Sequence, residues 1–279
     1  MKASALVAEG ERALLAAGIE APRREARLLL ALALGVEAQA LVLDDPAVDV
    51  ATGERFRTLL ARRVTHEPFA HIAGRRGFWT LDLEVTSATL VPRPETEILI
   101  ETALAHAGDR RAPLEIVDFG TGSGAILIAL LCELPNASGL GVDVSEPALE
   151  VARRNALRAG VGARARFGRS SWWSHVRGNF DLIVSNPPYI PSADIAGLAP
   201  DVRDFEPHLA LDGGPDGLGA YRALSAVAAS RLAEGGALIV EVGEGQGEPV
   251  ASLLRRSGFP RTRIVPDLAG IGRVVAAFT

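Results

Sequence analysis

Apolar positions in the first 64 residues recur at the spacing of α-helices. Residues 23–34 pass from charged to apolar side chains and are followed by a glycine, which is a typical helix stop. Further on, apolar side chains recur at i, i+3, i+4 and i+8, at Phe56, Leu59, Leu60 and Val64. The pattern predicts that this part of the chain folds as a small helical bundle.

The pattern changes between residues 75 and 90. From position 78 to position 85 apolar and polar residues alternate as in a half-buried strand, and we interpret the segment as a hairpin linker. Pro92 and Pro94 then precede a second apolar stripe at helical spacing, within residues 95–107. The expected domains are a helical N-terminal domain at 1–74, a linker at 75–90 and a second domain at 91–279.

Beyond position 114 short apolar runs that are typical of strands alternate with helical patterns. The predicted strands are residues 115–119, 139–142, 164–167, 180–185, 237–242, 263–265 and 274–278. Such alternation predicts an α/β fold with a mostly parallel sheet and helices on both of its faces. The segment 191–217 is rich in Pro, Asp and Gly, and loops of that length are usually functional.

Composition and charge exclude several classes of function. The net charge of −5 disfavours a protein held mainly on phosphate backbones, so a purely nucleic-acid-binding role is not expected. Cys132 is the only cysteine, and no Cys/His cluster has the spacing of metal ligands. The longest apolar runs reach eight residues, far short of the roughly 20 that a membrane span needs. We expect a cytoplasmic protein without a metal site or a membrane span.

A glycine-rich loop stands where the first strand of the α/β part gives way to a helix. It consists of Gly120, Thr121, Gly122, Ser123 and Gly124. Glycines there permit a tight turn and let a ligand approach the backbone, while free N–H groups at the helix start favour a carboxylate or phosphate. The loop alone does not distinguish a cofactor site from an ordinary turn or from a dinucleotide site.

Asp143 follows the next predicted strand, 19 residues beyond Gly124. From the carboxyl end of such a strand a carboxylate reaches a ribose diol. A helix cap is the alternative role for an aspartate at this position, but Ser145 is available as the cap. The residues therefore predict that Asp143 binds the ribose of a cofactor.

Two features favour S-adenosylmethionine over a dinucleotide as that cofactor. The glycines are spaced Gly-x-Gly-x-Gly, without the third, helix-packing glycine of the dinucleotide fingerprint. Asp118 precedes them, where its carboxylate could receive the ammonium group of a methionine moiety. A methyl donor of this kind leaves S-adenosylhomocysteine as its product.

The tetrad Asn186, Pro187, Pro188, Tyr189 follows the predicted strand at 180–185 and carries the strongest chemical signal. Two prolines fix the backbone and remove two N–H donors, so the carbonyl groups there can face a substrate that is itself a donor. The Asn186 side-chain oxygen and the Pro187 carbonyl could accept both protons of a planar NH2 group, which directs its lone pair at the methyl group. The Tyr189 ring offers a flat surface for a planar amide or base. An ordinary turn is the alternative.

The tetrad is similar to that of methyltransferases that act on planar nitrogens, in nucleic acids and in protein glutamine. Over essentially its full length the chain resembles the release factor glutamine N5-methyltransferase family (PrmC/HemK). Besides the tetrad, the segments that carry the resemblance are residues 67–74, 78–79, 90–97, 202–207 and 210–211. The resemblance implies a seven-stranded, Rossmann-like class I methyltransferase sheet and a small helical N-terminal domain, joined by a β-hairpin.

The resemblance also implies an activity and a set of site residues. Family members transfer a methyl group from S-adenosylmethionine to the side-chain amide nitrogen of the glutamine in the Gly-Gly-Gln motif of class 1 release factors. The glutamine would be held by Asn186, Pro187, Pro188 and Tyr189, of which Asn186 and Pro187 are the catalytic pair. The cofactor would be held by Gly120, Thr121, Gly122, Ser123, Gly124, Asp143, Trp172 and Asn186.

Two details of that site differ from the usual pattern or stay open. Trp172 would pack on the adenine, and its neighbour Trp173 is the alternative. Ser171 stands where many family members carry an aspartate, which leaves open a carboxylate contact with the adenine amino group. For residues 92–97, two interpretations remain, a lid edge that shapes a glutamine channel and a rigid turn between domains.

Two other functions also remain open at this point. A nucleic-acid exocyclic-amine methyltransferase would share the tetrad, but it normally brings a basic target-recognition region, and none is visible. A non-catalytic S-adenosylmethionine-binding subunit would not need an intact tetrad. We expect class 1 release factors as the protein partner and no direct binding of nucleic acid.

Overall fold

The computed structural model describes all 279 residues of the chain. The chain divides into two compact units. The first comprises residues 1–74 together with the short segment 199–205, and the second comprises residues 75–198 and 206–279. One part of the long loop 191–217 therefore packs with the N-terminal helices rather than with the sheet.

The first unit is a bundle of helices around a small apolar core. Its helices are α1 (Ala3–Ala16), α2 (Pro22–Leu34), α3 (Ala40–Leu43), α4 (Val50–Val64) and α5 (Phe69–Ala73). Leu14, Leu29 and Phe56, one from each long helix, are fully buried in this core. Asp49 caps α4 by accepting a hydrogen bond from the N–H of Thr52 at 2.7 Å. The helical bundle expected from the sequence is confirmed.

A two-stranded antiparallel hairpin follows, with β1 at Arg75–Phe78 and β2 at Leu81–Glu84. The hairpin expected from the sequence is confirmed, but the strand-like alternation over residues 78–85 runs across its turn, because the chain reverses at Trp79 and the next residue. Trp79 has a positive φ of 55°, as a tight two-residue turn between strands requires. The hairpin packs on the apolar core of the second unit through the buried Phe78.

The second unit contains the expected seven-stranded sheet. Its strands are β3 (Glu115–Phe119), β4 (Ser138–Asp143), β5 (Ala165–Arg169), β6 (Phe180–Ser185), β7 (Leu232–Glu241), β8 (Arg261–Pro266) and β9 (Gly272–Phe278). The order across the sheet is β5-β4-β3-β6-β7-β9-β8, and β9 alone runs against the others. β7 begins at Leu232, earlier than the predicted residue 237, because its first residues continue the pairing toward Phe180 of β6.

Helices cover both faces of this sheet. The helices after the hairpin are α6 (Glu97–Ala107), α7 (Ala125–Glu133), α8 (Glu146–Arg158), α9 (Pro200–Arg203), α10 (Gly219–Ala228) and α11 (Gly247–Arg256), of which α9 lies in the segment 199–205. Ile116 and Val117 are neighbours on β3 but belong to different apolar cores, because successive side chains of a strand point to opposite faces. The α/β class is confirmed. No helix combines the length and the apolar character that a membrane crossing needs.

Candidate active site

Parallel strands of the sheet end at the same edge and bring the predicted site residues together. β3 lies between β4 and β6, and the register pairs Phe119 with Val142 on one side and with Ser185 on the other. The strand order reverses between β3 and β6, and open α/β sheets bind their ligands at such a crevice. The glycine loop, Asp143 and the tetrad therefore emerge around one crevice.

The glycine loop is a tight turn held against the end of β4. The backbone N–H groups of Gly120 and Thr121 both donate to the Val142 carbonyl, at 2.9 and 3.0 Å. Gly120 and Gly122 have positive φ angles of 69° and 53°, which disfavour any side chain. A Cβ atom built on either glycine meets no atom closer than 3.9 Å. The space over these two glycines is open, so a ligand can approach the backbone there.

Gly124 has a different role, because it faces the protein. Its φ is 82°, and a Cβ atom there would lie 2.7 Å from Cδ1 of Ile128 and 3.2 Å from Cβ of Ala152 on α8. Gly124 therefore packs between helices, whereas the third glycine of the dinucleotide fingerprint packs a helix on its strand.

The polar side chains of the loop are turned into the protein. Thr121 and Ser123 are buried, and Thr121 donates its hydroxyl to Oδ2 of Asp118 at 2.6 Å. Asp118 is fully buried, its Oδ1 has no hydrogen-bond partner, and burial raises its pKa to about 7. Its placement does not fit the expected contact with an ammonium group. The Asp118 carboxyl instead anchors the loop, and Thr121 and Ser123 offer a ligand only their backbone.

Asp143 lies at the carboxyl end of β4 and reaches back to the loop. Its Oδ2 accepts a hydrogen bond from the N–H of Gly122 at 3.0 Å, and its Oδ1 accepts one from the N–H of Ser145 at 2.9 Å. The cap of α8 is Ser145, whose hydroxyl accepts from the N–H of Ala148. The helix-cap alternative for Asp143 is therefore wrong, and its carboxylate stands beside the open part of the glycine loop.

The two adjacent tryptophans differ in how firmly they are held. The Trp173 ring lies 4.5 Å from the Phe119 ring, and its indole N–H donates to the Leu224 carbonyl at 2.9 Å. The Trp172 ring lies farther from Phe119, at 6.5 Å, and its backbone has a positive φ of 49°. Ser170 braces this backbone, because its hydroxyl donates to the Trp172 carbonyl at 2.8 Å. Trp173 is a partly buried residue whose indole is anchored by a hydrogen bond, whereas the Trp172 indole is not tied by one.

β6 delivers the tetrad to the crevice. The Ser185 hydroxyl donates to the Phe119 carbonyl at 2.7 Å and so ties the end of β6 to β3. Asn186 is half-buried, and its Nδ2 donates to Oγ1 of Thr96 at 3.1 Å. The backbone carbonyl groups of Asn186 and Pro187 accept no hydrogen bond from the chain. Both carbonyl groups are therefore available to a donor.

Tyr189 closes the tetrad and is held by the segment after β7. Gln246 Nε2 donates to the Tyr189 carbonyl at 2.8 Å, while Gln246 Oε1 accepts from the N–H of Gly243 at 3.1 Å. Burial raises the pKa of Tyr189 to about 12, and the nearby Glu241 carboxyl acts in the same direction. The Tyr189 phenol therefore stays neutral, which suits an aromatic surface that packs against a planar, uncharged amide.

The long loop 191–217 begins and ends beside the tetrad. The Ile190 N–H donates to the Leu211 carbonyl at 3.0 Å, and the Gly213 N–H donates to the Ile190 carbonyl at 2.9 Å. Within the second unit, Arg93 also forms an ion pair with Glu206 at 2.7 Å, and the Glu206 carboxyl is almost fully buried. These contacts hold the two ends of the loop close to the tetrad.

Sequence reasoning missed three residues that contact the tetrad: Thr96, Glu241 and Gln246. Thr96 ends the tight turn Pro94–Thr96 that leads into α6, so the segment 92–97 is a turn in direct contact with Asn186. Glu241 ends β7 as Asp143 ends β4. The position of Glu241, a carboxyl residue at the end of a buried apolar run, could have identified it from the sequence.

Comparison with protein families and curated proteins accounts for both parts of the chain. Residues 5–74 match the PrmC N-terminal domain, and residues 94–197 match the Methyltransferase small domain. A release factor glutamine methyltransferase of Rhodospirillum rubrum is 48% identical over 276 residues, which cover 98% of this chain and 83% of that protein. The chain belongs to the release factor glutamine methyltransferase family.

Two further likenesses agree with this assignment. Another release factor glutamine methyltransferase, from Bradyrhizobium diazoefficiens, is 48% identical over 268 residues, which cover 95% of this chain and 90% of that protein. Among solved structures, a methyltransferase from Pyrococcus furiosus matches with a TM-score of 0.52 at 21% identity, over 78% of this chain and 96% of that one. The structural likeness shows the fold alone, and the methyltransferase fold expected from the sequence is confirmed.

S-adenosylmethionine is the cofactor of this chain, as of the methyltransferase family it belongs to, and the crevice fits it. Open space over Gly120 and Gly122 admits a ligand to the backbone. Each Asp143 oxygen accepts one backbone N–H, and a carboxylate oxygen can accept a second hydrogen bond, so acceptors remain for a diol.

Proposed function

We propose that this enzyme methylates the side-chain amide nitrogen of the glutamine in the Gly-Gly-Gln motif of class 1 release factors. The observation that carries the proposal is the intact tetrad at the crevice, with the carbonyl groups of Asn186 and Pro187 free to accept, in a chain of this family. Release factors act in translation, so the reaction belongs in the cytoplasm. Protein rather than nucleic acid is the proposed partner.

Some of the residues proposed to hold the cofactor contribute backbone groups, and others contribute a side chain. Gly120, Thr121, Gly122 and Ser123 contribute backbone, Gly124 shapes the turn by packing on Ile128 and Ala152, and Asp143 contributes its carboxylate to the ribose hydroxyl groups. Trp172 contributes its ring to the adenine, because Trp173 is anchored to the Leu224 carbonyl. When bound, S-adenosylmethionine supplies an electrophilic methyl group on a positively charged sulfur.

The tetrad is proposed to position the glutamine amide. Asn186 Oδ1 and the Pro187 carbonyl accept its two N–H protons, which orients the nitrogen lone pair toward the methyl group. Pro188 keeps the backbone in place, and the neutral Tyr189 ring packs on the amide plane. Rate enhancement then comes chiefly from orientation, since these acceptors are already in place before the reaction.

The proposed reaction needs no histidine base. An amide nitrogen becomes acidic once it has gained the methyl group, so one of its protons leaves to water. Asn186 Oδ1 and the Pro187 carbonyl accept hydrogen bonds but take no proton. The transfer step itself therefore requires positioned acceptors and no general base.

The domain assignment remains part of this proposal. We assign docking of the release factor to the helical domain at residues 1–74, linkage to residues 75–90 and catalysis to residues 91–279. A glutamine side chain is small, so the pocket supplies only part of the recognition, and a folded helical unit offers the additional surface.

Methylation with labelled S-adenosylmethionine tests the proposed function directly. Full-length enzyme is incubated with a purified class 1 release factor, with tRNA or with duplex DNA, and the labelled protein is mapped by peptide mass spectrometry. We expect label on the glutamine of the Gly-Gly-Gln loop and none on nucleic acid. Label on an RNA or DNA amine instead would favour the nucleic-acid alternative, and no transfer to any substrate would favour the non-catalytic subunit.

Asp143→Ala is expected to weaken S-adenosylmethionine binding by about 1.5–3 kcal/mol, the range for a hydrogen bond to a charged group. The variant loses the acceptor for the ribose and the hydrogen bond that holds Gly122. Titration calorimetry measures the affinity, and Asp143→Asn, which keeps one oxygen acceptor, should show a smaller loss. Unchanged affinity in a folded Asp143→Ala variant would restrict Asp143 to a role in the loop.

A further inference from the structure

Glu241 is a buried carboxyl beside the tetrad that the proposed transfer does not use. It ends β7 next to the end of β6, and 3% of its surface is exposed. Its backbone is fixed, because it pairs with Val274 of β9 and its carbonyl accepts the Tyr221 hydroxyl at 2.9 Å. Its Oε2 atom is buried without a hydrogen-bond partner. Burying a carboxyl in this way costs stability, which points to a function.

Thr96 connects this carboxyl to Asn186. Its Oγ1 accepts from Asn186 Nδ2 at 3.1 Å, and the polar groups of both side chains lie close enough to the Glu241 carboxyl to lower its pKa. Thr96 is 4% exposed, and its N–H donates to the Arg93 carbonyl at 3.1 Å, so the turn before α6 fixes the hydroxyl in place. The three side chains form a compact cluster on one side of the tetrad.

The carboxylate dictates the direction of these hydrogen bonds. An ionised carboxylate only accepts, so it favours a Thr96 hydroxyl proton that is turned toward Glu241, which leaves Oγ1 as the acceptor for Asn186 Nδ2. The amide oxygen of Asn186 would find no donor there. The NH2 end therefore faces Thr96 and Glu241, and Oδ1 points away, since the two atoms diverge from one carbon.

We propose that Glu241 and Thr96 are positioning residues that hold the Asn186 amide with Oδ1 presented to the substrate NH2 group. The role for the substrate rests on the proposed function, but the orientation of the amide belongs to the free enzyme. An Asn186 amide turned by half a rotation would present a donor to the substrate's donor, and the hydrogen bond would be lost. The cluster thus selects the productive orientation before the substrate binds.

Protonation of Glu241 removes this selection, because a carboxylic acid can donate as well as accept. Burial raises the pKa of Glu241 to about 7, with Glu95 acting in the same direction and Arg273 against it. Tyr189 and Tyr221 also face the carboxyl, and both stay neutral because their own pKa values are raised. We expect kcat to fall as the pH drops through about 7 and to be level above it.

The first test uses the enzyme alone. In 15N-labelled full-length enzyme the Asn186 side-chain NH2 signals, assigned by their loss in Asn186→Asp, report this hydrogen bond through slow exchange with water. Thr96→Val keeps the shape and removes the hydroxyl, and it should speed the exchange by about tenfold. The matched control is Thr102→Val, the same change at a buried threonine of α6 that bonds to the Ile98 carbonyl, and it should leave the exchange as it is.

Turnover on a purified class 1 release factor gives the second readout. Thr96→Val should lower kcat by about tenfold with little change in KM or in cofactor affinity, and Thr96→Ser should recover most of the loss. Glu241→Gln has no carboxyl to titrate at this position, so the fall of kcat as the pH drops through about 7 should disappear in this variant.

Equal amide exchange in wild type and Thr96→Val would overturn the positioning role, as would equal losses of kcat in Thr96→Ser and Thr96→Val. Absence of methylation by the wild-type enzyme would instead refute the proposed function, and the exchange rates would still decide the orientation of Asn186.

Discussion

Asn186→Ala is expected to lower kcat for glutamine methylation by about 10²–10³-fold, the usual cost of removing one preorganised polar group at a reacting centre. The variant keeps the Pro187 carbonyl but leaves one of the two substrate protons without its acceptor. Affinity for S-adenosylmethionine should fall much less, since Asp143 and the glycine loop are unchanged. Single-turnover transfer with labelled cofactor measures the chemical step, and calorimetry measures binding. Near-normal turnover in this variant would end the positioning mechanism.

Asn186→Asp is the sharper companion variant. It retains an oxygen acceptor and should therefore keep more activity than Asn186→Ala. It loses the Nδ2 donor to Thr96, however, and places a second carboxyl beside Glu241, whose pKa is already raised. Two carboxyl groups so close disfavour double ionisation, so activity should lie between those of wild type and the alanine variant. Activity below that of Asn186→Ala would mean that the charge outweighs the acceptor.

An intact class 1 release factor is expected to be a far better substrate than a peptide that carries only its Gly-Gly-Gln loop. The tetrad binds one small side chain, so further contacts must come from surface outside the pocket, and the helical domain is the proposed docking site. A docking contact of about 4 kcal/mol corresponds to about 10³-fold in kcat/KM. Initial rates with the full-length enzyme and both substrates measure the ratio. Equal values of kcat/KM would show that the pocket supplies all of the recognition.

The matched control is a release factor in which the loop glutamine is replaced by alanine. This factor cannot be methylated, but it keeps every contact outside the pocket. It should inhibit methylation of the intact factor competitively, with an inhibition constant near the KM. Loss of inhibition would mean that recognition depends on the glutamine itself and would remove the case for docking by residues 1–74.

The sequence predicted the fold well because the signals were local and strongly periodic. All seven strands lie where apolar runs predicted them, and the helical bundle follows the spacing of Phe56 and its neighbours. The errors are local as well. The alternation across Trp79 hides a reversal of the chain, because a tight turn interrupts the period without changing the apolar pattern.

The site was predictable only where a single segment carries the chemistry. The tetrad, the glycine loop and Asp143 each follow a strand, so their common edge could be inferred from the parallel order. Thr96 stands 90 residues before Asn186, and only the fold brings its hydroxyl to the amide. The burial of Asp118 was equally hidden, because nothing in the sequence shows on which side of the loop a carboxyl lies.

The position of the tryptophans gives this enzyme an optical signal. Two of its three tryptophans, Trp172 and Trp173, stand against Phe119 at the crevice, and the third, Trp79, lies in the hairpin with its indole N–H on Glu133. A ring that stacks on adenine changes its fluorescence emission, whereas an anchored ring changes little. If Trp172 stacks on the adenine as proposed, we expect intrinsic fluorescence to follow cofactor binding without a label. The Trp172→Phe and Trp173→Phe variants divide that signal between the two rings.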